Sequence, residues 1–145
     1  MIIINPGSLT RIKTHALAIF PDECCGFLFG SEKDIGVRAI STIREVNNSK
    51  PGDKRRRFEI NAKDYMQAEQ FALESGLLLL GIYHSHPNHP AIPSEQDRIA
   101  AQPYFSYVII SVMNDHIDHI RSWRLNDSSQ FEEENFSPVH LNQSL

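Results

Sequence analysis

The stretch Leu77-Leu-Leu-Leu-Gly-Ile-Tyr-His-Ser-His-Pro-Asn-His-Pro-Ala-Ile-Pro-Ser-Glu-Gln-Asp97 decides how the rest of the chain is read. Leu77 to Tyr83 is apolar apart from Gly81 and predicts a buried strand. Residues i and i+2 of a strand share a face, so the imidazoles of His84 and His86 are expected to project side by side. Pro87 to Pro93 predicts a loop held stiff by its prolines, and Ser94 opens a helix whose first turn carries Asp97. Two imidazoles and a carboxylate suit Zn²⁺. Three protein ligands leave the fourth tetrahedral position to water, the mark of a catalytic rather than a structural ion.

Each of these groups has a plainer reading when taken alone. A histidine at a strand end is commonly just hydrogen-bonded, and Ser94-x-x-Asp97 is also a helix-capping arrangement. Capping and ligation are compatible, because an acid in the first helical turn can aim its carboxylate back at the strand end. Three such groups on strand, rigid loop and helix favour a metal.

The chain has 145 residues, enough for one domain with a genuine core. Its 41% apolar and 22% charged residues fall in the soluble globular range. A formal net charge of −4 gives no global attraction to nucleic acid or to acidic membrane surfaces. The longest apolar run, Phe71 to Tyr83, is interrupted by Glu74 and Ser75, so no transmembrane helix is expected. The first residues lack a basic n-region and a long h-region, and a cytoplasmic location is the default expectation. Cys24 and Cys25 are adjacent, a spacing that disfavours a disulfide between them. They read as small core residues of a protein in a reducing compartment.

Outward from the central stretch, Ile2 to Ile4 predicts a short strand, and Ser8 a cap for a helix ending near Phe20. Cys24 to Gly30 and Val37 to Val46 predict a hairpin, and residues 47–53 a polar loop. Arg57 to Ile60 predicts a short extended segment, and Asn61 caps a helix running to about Gly76. Phe105 to Met113 and Ile117 to Leu125 predict the next strands. Residues 1–125 read as a single domain, and 126–145 as an acidic polar tail or a weak terminal strand. The order predicts an α/β (α+β) fold, a mixed sheet with helices packed on it.

Zinc-assisted hydrolysis needs a base that takes a proton from water and returns it to the leaving group. Glu23, beside Asp22 between the first helix and a strand, is the candidate. On that segment alone a solvated acidic pair in a turn is the plainer reading.

The two segments together change that. Glu23-x-x-Gly26, then His84-Ser85-His86-Pro87, six residues, Ser94, two residues and Asp97, resembles the signature of the JAMM (MPN+) metallopeptidase family at every position. The resemblance implies a mixed, mostly antiparallel sheet with flanking helices, the cytidine-deaminase-like fold of that family. It implies that His84, His86 and Asp97 bind one catalytic Zn²⁺, that Glu23 activates water as general base, and that Ser94 stabilises the oxyanion. Ser85 is expected to be structural.

Compact bacterial-type members of that family resemble this chain in size. They act on ubiquitin-like sulfur-carrier proteins, removing residues attached beyond a C-terminal Gly-Gly. Such a tail needs a strand edge, which Arg56 to Ile60 offers. The run Lys54 to Arg57 either attracts an acidic carrier surface or is a solvated loop. His89 is expected in the loop without a ligand role, His116 and His119 flank a turn, and His15 and His140 read as surface residues. Tyr83 reads as core. The sequence leaves the oligomeric state open, a homodimer included.

Three rival readings stand beside the peptidase. A zinc deaminase requires His-x-Glu and Pro-Cys-x-x-Cys, and this chain has neither. A binding module using zinc only to order a loop has no need of an acid at Glu23. A DNA-repair relative is disfavoured because no helical DNA-binding segment accompanies the domain.

Overall fold

The run of apolar strands separated by Gly, Pro and Asn turns folds into one sheet. In this computed structural model residues 1–138 are described; His140, read from the sequence as a surface residue, lies outside the described residues. The elements are β1 (Ile2–Ile4), α1 (Pro6–Ile19), β2 (Cys25–Asp34), β3 (Val37–Val46), α2 (Ala62–Ser75) and β4 (Leu78–Pro87). They continue with α3 (Glu95–Ala100), β5 (Ser106–Met113), β6 (His116–Leu125), β7 (Phe131–Glu134) and β8 (Phe136–Pro138). The eight strands lie in the order β7-β6-β5-β4-β2-β3-β1-β8. Antiparallel ladders join β2 to β3 and β4, and β6 to β5 and β7. Parallel ladders join β4 to β5, and β1 to both β3 and β8. Only Asn135 separates β7 from β8, so the sheet curls until its two edges meet, and Asn135 O accepts the Ile2 N–H at 2.7 Å. This is the mixed sheet with flanking helices expected from the pattern.

Local chemistry sets the helix ends. Asn5, not Ser8, caps α1: its side-chain oxygen accepts the Ser8 N–H at 2.7 Å, with Pro6 pre-set for the first helical position. Asn61 caps α2 as expected, and Gly76 ends it in the left-handed conformation at φ 70°. Ser94 caps α3 through a complete capping box with Asp97.

Two apolar layers cover the two faces of the sheet. On one, α1 packs Ile12 and Ala16 against Leu28, Ile40, Leu80, Tyr83 and Val108. On the other, α2 packs Ala68 and Ala72 against Phe27, Phe29, Ile82 and Tyr107. A register shift between Leu28 and Phe29 opposite β4 breaks the strand alternation. Leu79 and Ile82 therefore both face the α2 layer although three positions apart. The two histidines follow Ile82 in parity and face the same layer. Arg57 to Ile60 differs from the expected strand. It belongs to no ladder and is held instead by Asn48 and Ser49.

Candidate metal centre

β4 runs four residues beyond the expected end of its apolar run at Tyr83, carrying His84 and His86 to the rim of the sheet. The parallel partner β5 continues alongside them as far as Val112. His84 is 1% exposed and His86 9%. The ring of Phe58 stacks on His84 with centroids 4.5 Å apart, which fixes the imidazole plane and shields it from water.

Glu23 reaches the same place from the segment before β2. The backbone N–H of Cys24 donates to Ser85 Oγ at 2.8 Å, and the Ser85 N–H donates back to the Cys24 carbonyl. This clamp holds Glu23 against β4, and its carboxylate is buried, Oε1 lying 3.5 Å from His84 Nδ1. Gly26 belongs to the same constraint. A Cβ there would meet Tyr83 Cε1 at 2.3 Å and the Arg44 carbonyl at 2.5 Å, so only glycine lets the tyrosine ring cross the strand. Ser85 and Tyr83 are thus structural residues, as the alternation of β4 predicts. His15 departs from its surface reading: it is half-buried, with Nδ1 2.8 Å from the Tyr83 hydroxyl.

Asp97 comes from α3. Its Oδ2 lies 3.2 Å from His86 Nε2 and accepts the Ser94 N–H at 2.9 Å, while its Oδ1 is 3.9 Å from His84 Nε2. Ser94 Oγ accepts the Asp97 N–H at 3.1 Å, which leaves its own hydroxyl hydrogen uncommitted by the cap. The structure therefore brings Glu23, His84, His86, Ser94 and Asp97 into one cluster. His89 lines the adjoining cavity with its ring exposed, and its carbonyl accepts the Ser111 hydroxyl. His119 Nε2 accepts the Ala91 N–H, a structural bond to the proline-rich loop.

Several observations of this cluster fit a cation. Ligand atoms of Glu23, His84 and His86 lie within 4.8 Å of one another. Among the described residues, Glu23 Oε1 and His84 Nδ1 are the buried side-chain polar atoms with no hydrogen-bond partner. Leaving such atoms unpaired costs about 1–3 kcal/mol each unless a ligand completes them. His86 Nδ1 lies 2.9 Å from the Pro90 carbonyl, which fixes that nitrogen as the donor. Nε2 of the neutral ring then presents a lone pair to the Asp97 carboxylate, a contact that only a proton or a metal cation makes favourable. The titration behaviour follows. Burial disfavours the His86 imidazolium, but the Asp97 hydrogen bond and the Pro90 carbonyl outweigh it and raise the pKa. Burial would raise Asp97, yet the His84 charge, the His86 hydrogen bond and the Ser94 N–H hold its carboxyl well below the usual range.

Sequence reasoning missed two residues. Asn48 donates its amide to the carbonyls of Glu23 and Arg57, both at 3.0 Å, while its oxygen accepts the Glu59 N–H. It ties the base candidate to the 57–60 segment, and its only local signal was turn chemistry. Phe58, the stacking ring, was visible only as half of an alternating Phe58/Ile60 pair in a polar stretch.

Comparison with known proteins bears on this arrangement. Residues 6–126 match the family described as prokaryotic homologs of the JAB domain. The desampylase of Pyrococcus furiosus is 31% identical over 131 residues, 90% of this chain and 86% of that protein. The CysO-cysteine peptidase of Mycobacterium tuberculosis is 25% identical over 134 residues, 92% of this chain and 88% of that one. A solution structure from Desulfitobacterium hafniense superposes with a TM-score of 0.83 at 27% identity, covering 96% of this chain and 93% of its own. With motif, fold and a match spanning most of its length in agreement, the chain belongs to the prokaryotic homologs of the JAB domain.

Proposed function

We propose that the chain is a zinc-dependent peptidase or isopeptidase that hydrolyses the amide bond at the C-terminal Gly-Gly of a ubiquitin-like sulfur-carrier protein. The observation that carries this reading is the convergence of a buried, unpartnered carboxylate oxygen of Glu23 on two buried histidines. The activities named for the desampylase and the CysO-cysteine peptidase support the substrate class. His84, His86 and Asp97 would hold the ion, an N₂O set suited to Zn²⁺. Zinc, when bound, supplies a Lewis acid that makes water acidic enough to lose a proton near neutral pH.

The chain's own residues supply the rest. Glu23 Oε1 accepts a proton from the attacking water and delivers it to the departing amine nitrogen. Ser94, whose Oγ already accepts the Asp97 N–H, donates its free hydroxyl hydrogen to the oxyanion that develops on the scissile carbonyl. A cavity of about 240 Å³ beside His84 and Asp97 is walled by Phe58, Ile60, Tyr65, Ile82 and Tyr107. Its apolar walls and the backbone of residues 57–60, which belongs to no ladder, suit a narrow diglycine tail lying as an added strand.

The test is mass spectrometry of a carrier extended past its diglycine, in main-chain and in lysine-linked form, after incubation with protein loaded with zinc. Release of the intact carrier ending in Gly-Gly is expected, and chelation should abolish it. Binding of zinc without cleavage of either form refutes the hydrolytic reading.

A further inference from the structure

Two cavities flank the cluster and share Arg57, but their charges differ. In the first, just described, Lys50 and Arg57 are balanced by Glu59 and Asp97, and Lys50 lies 3.6 Å from Glu59. The second, about 480 Å³, opens on Glu23, His86 and Ser94 and is walled by Arg55, Arg56 and Arg57. Glu23 is the one carboxylate in its lining, and it is buried against the histidines. Among the described residues none of the three guanidinium groups pairs with an acid; that of Arg57 donates to the Arg56 carbonyl, and the Asp53 carboxylate takes the backbone N–H of Arg55. The loop that carries them is tied directly to the catalytic cluster, since the Glu23 N–H donates to the Lys54 carbonyl at 2.7 Å. Unneutralised guanidinium groups beside a reaction centre are a site for an anion, and their planar fork matches a carboxylate.

Which side of the scissile bond this chamber serves follows from Glu23. Resting on the hydrolytic reading above, Glu23 hands its proton to the leaving amine, and Glu23 lines the chamber of the three arginines and not the first one. We infer that the arginine-walled chamber receives the amine-side product, a single residue or short peptide whose free α-carboxylate pairs with Arg55 and Arg56. The preferred substrate is then a linear extension of the carrier's C-terminus. A lysine side chain of a large folded protein carries no α-carboxylate at that distance. The arginines act as specificity determinants by binding the leaving group, and they take no part in proton transfer. Because they are exposed, the preference must weaken as salt is added.

The experiment compares two carrier-tail substrates ending in Gly-Gly-Ala, one with a free C-terminal carboxylate and one with a carboxamide. With zinc-loaded protein, KM for the carboxylate form should be lower by about tenfold, with kcat little changed, and the gap should shrink between low and high salt. The double variant Arg55→Gln/Arg56→Gln should raise KM for the carboxylate form to that of the carboxamide. Equal KM values in the unmodified protein overturn the inference. So does a double variant that weakens both substrates alike, the behaviour of arginines that dock an acidic carrier surface. If neither substrate is cleaved, the hydrolytic reading fails and a binding measurement still decides the chamber. Ala-Ala with a free carboxylate should shift the Arg55 and Arg56 Nε–H resonances of the metal-free protein, whereas Ala-Ala amide should not. Equal shifts, or none, overturn the inference.

Discussion

β4 has a buried polar cluster near each end, and the two are built on opposite principles. Towards its start, Arg38 is 2% exposed, yet no buried polar atom of its side chain lacks a partner. It donates to the Leu80 carbonyl at 2.9 Å and to Ser106 Oγ at 3.2 Å, lies 3.6 Å from Glu32, and stacks on Tyr104 at 4.4 Å. At its end, Glu23 and His84 are equally buried but leave Oε1 and Nδ1 without partners. A satisfied buried charge holds a fold together; an unsatisfied one is tolerated where something else completes it. The contrast separates stability from chemistry along one strand.

Four substitutions and a titration break or sharpen that contrast. The largest effect is expected from Glu23→Ala, which should slow turnover by roughly 10²–10⁴-fold while leaving zinc bound and the thermal midpoint unchanged or raised. Metal content by mass spectrometry and steady-state rates measured together check it; full turnover in the variant would remove Glu23 from the base role. Next, saturating zinc should stabilise the wild-type protein by about 2.7 kcal/mol at a hundredfold excess over its Kd. His86→Ala and Asp97→Ala should abolish that gain in a denaturant titration. Arg38→Met should do the reverse, costing about 1–3 kcal/mol for each polar group left unpaired while leaving zinc affinity intact.

The smallest effect concerns Cys24, between the clusters in sequence and part of neither. Burial raises its thiol from the ordinary 9.0 to about 12, so the folded protein holds the proton that the unfolded chain releases. The stabilisation is therefore complete below pH 9 and is lost as pH rises from 9 towards 12. Iodoacetamide at pH 8 should label neither Cys24 nor Cys25 without unfolding. Rapid labelling with loss of activity in a folded protein would contradict a core role for these thiols.

How far the sequence could be read depended on the range of the interactions involved. Helix ends were legible because caps are local: Asn61 and Ser94 announce themselves within three residues, and the shift of the first cap to Asn5 is small. The strands of the centre were legible as apolar runs. Arg57 to Ile60 was not, because extended backbone acquires its pairing from elsewhere, and here a side chain, Asn48, takes the place of a neighbouring strand. Asn48 itself had no periodicity or motif to mark it. The same holds for His15, whose reading turned on a tyrosine 68 positions away.

The sequence by itself determined which side chains are available for chemistry, since the identities and gaps of Glu23, His84, His86, Ser94 and Asp97 are written in two short segments. It also determined that these segments are a strand end, a stiff loop and a helix start, because backbone preference and capping act over a few residues. Only the tertiary structure decided that the strand break at Leu80 turns both imidazoles to the α2 side. It alone decided that Ser85 and Asn48 pin Glu23 beside them, and that a charge-balanced chamber and an arginine-rich one lie to either side. Those outcomes depend on packing between residues far apart in the chain, where each contact's energy is set by neighbours that no local window contains.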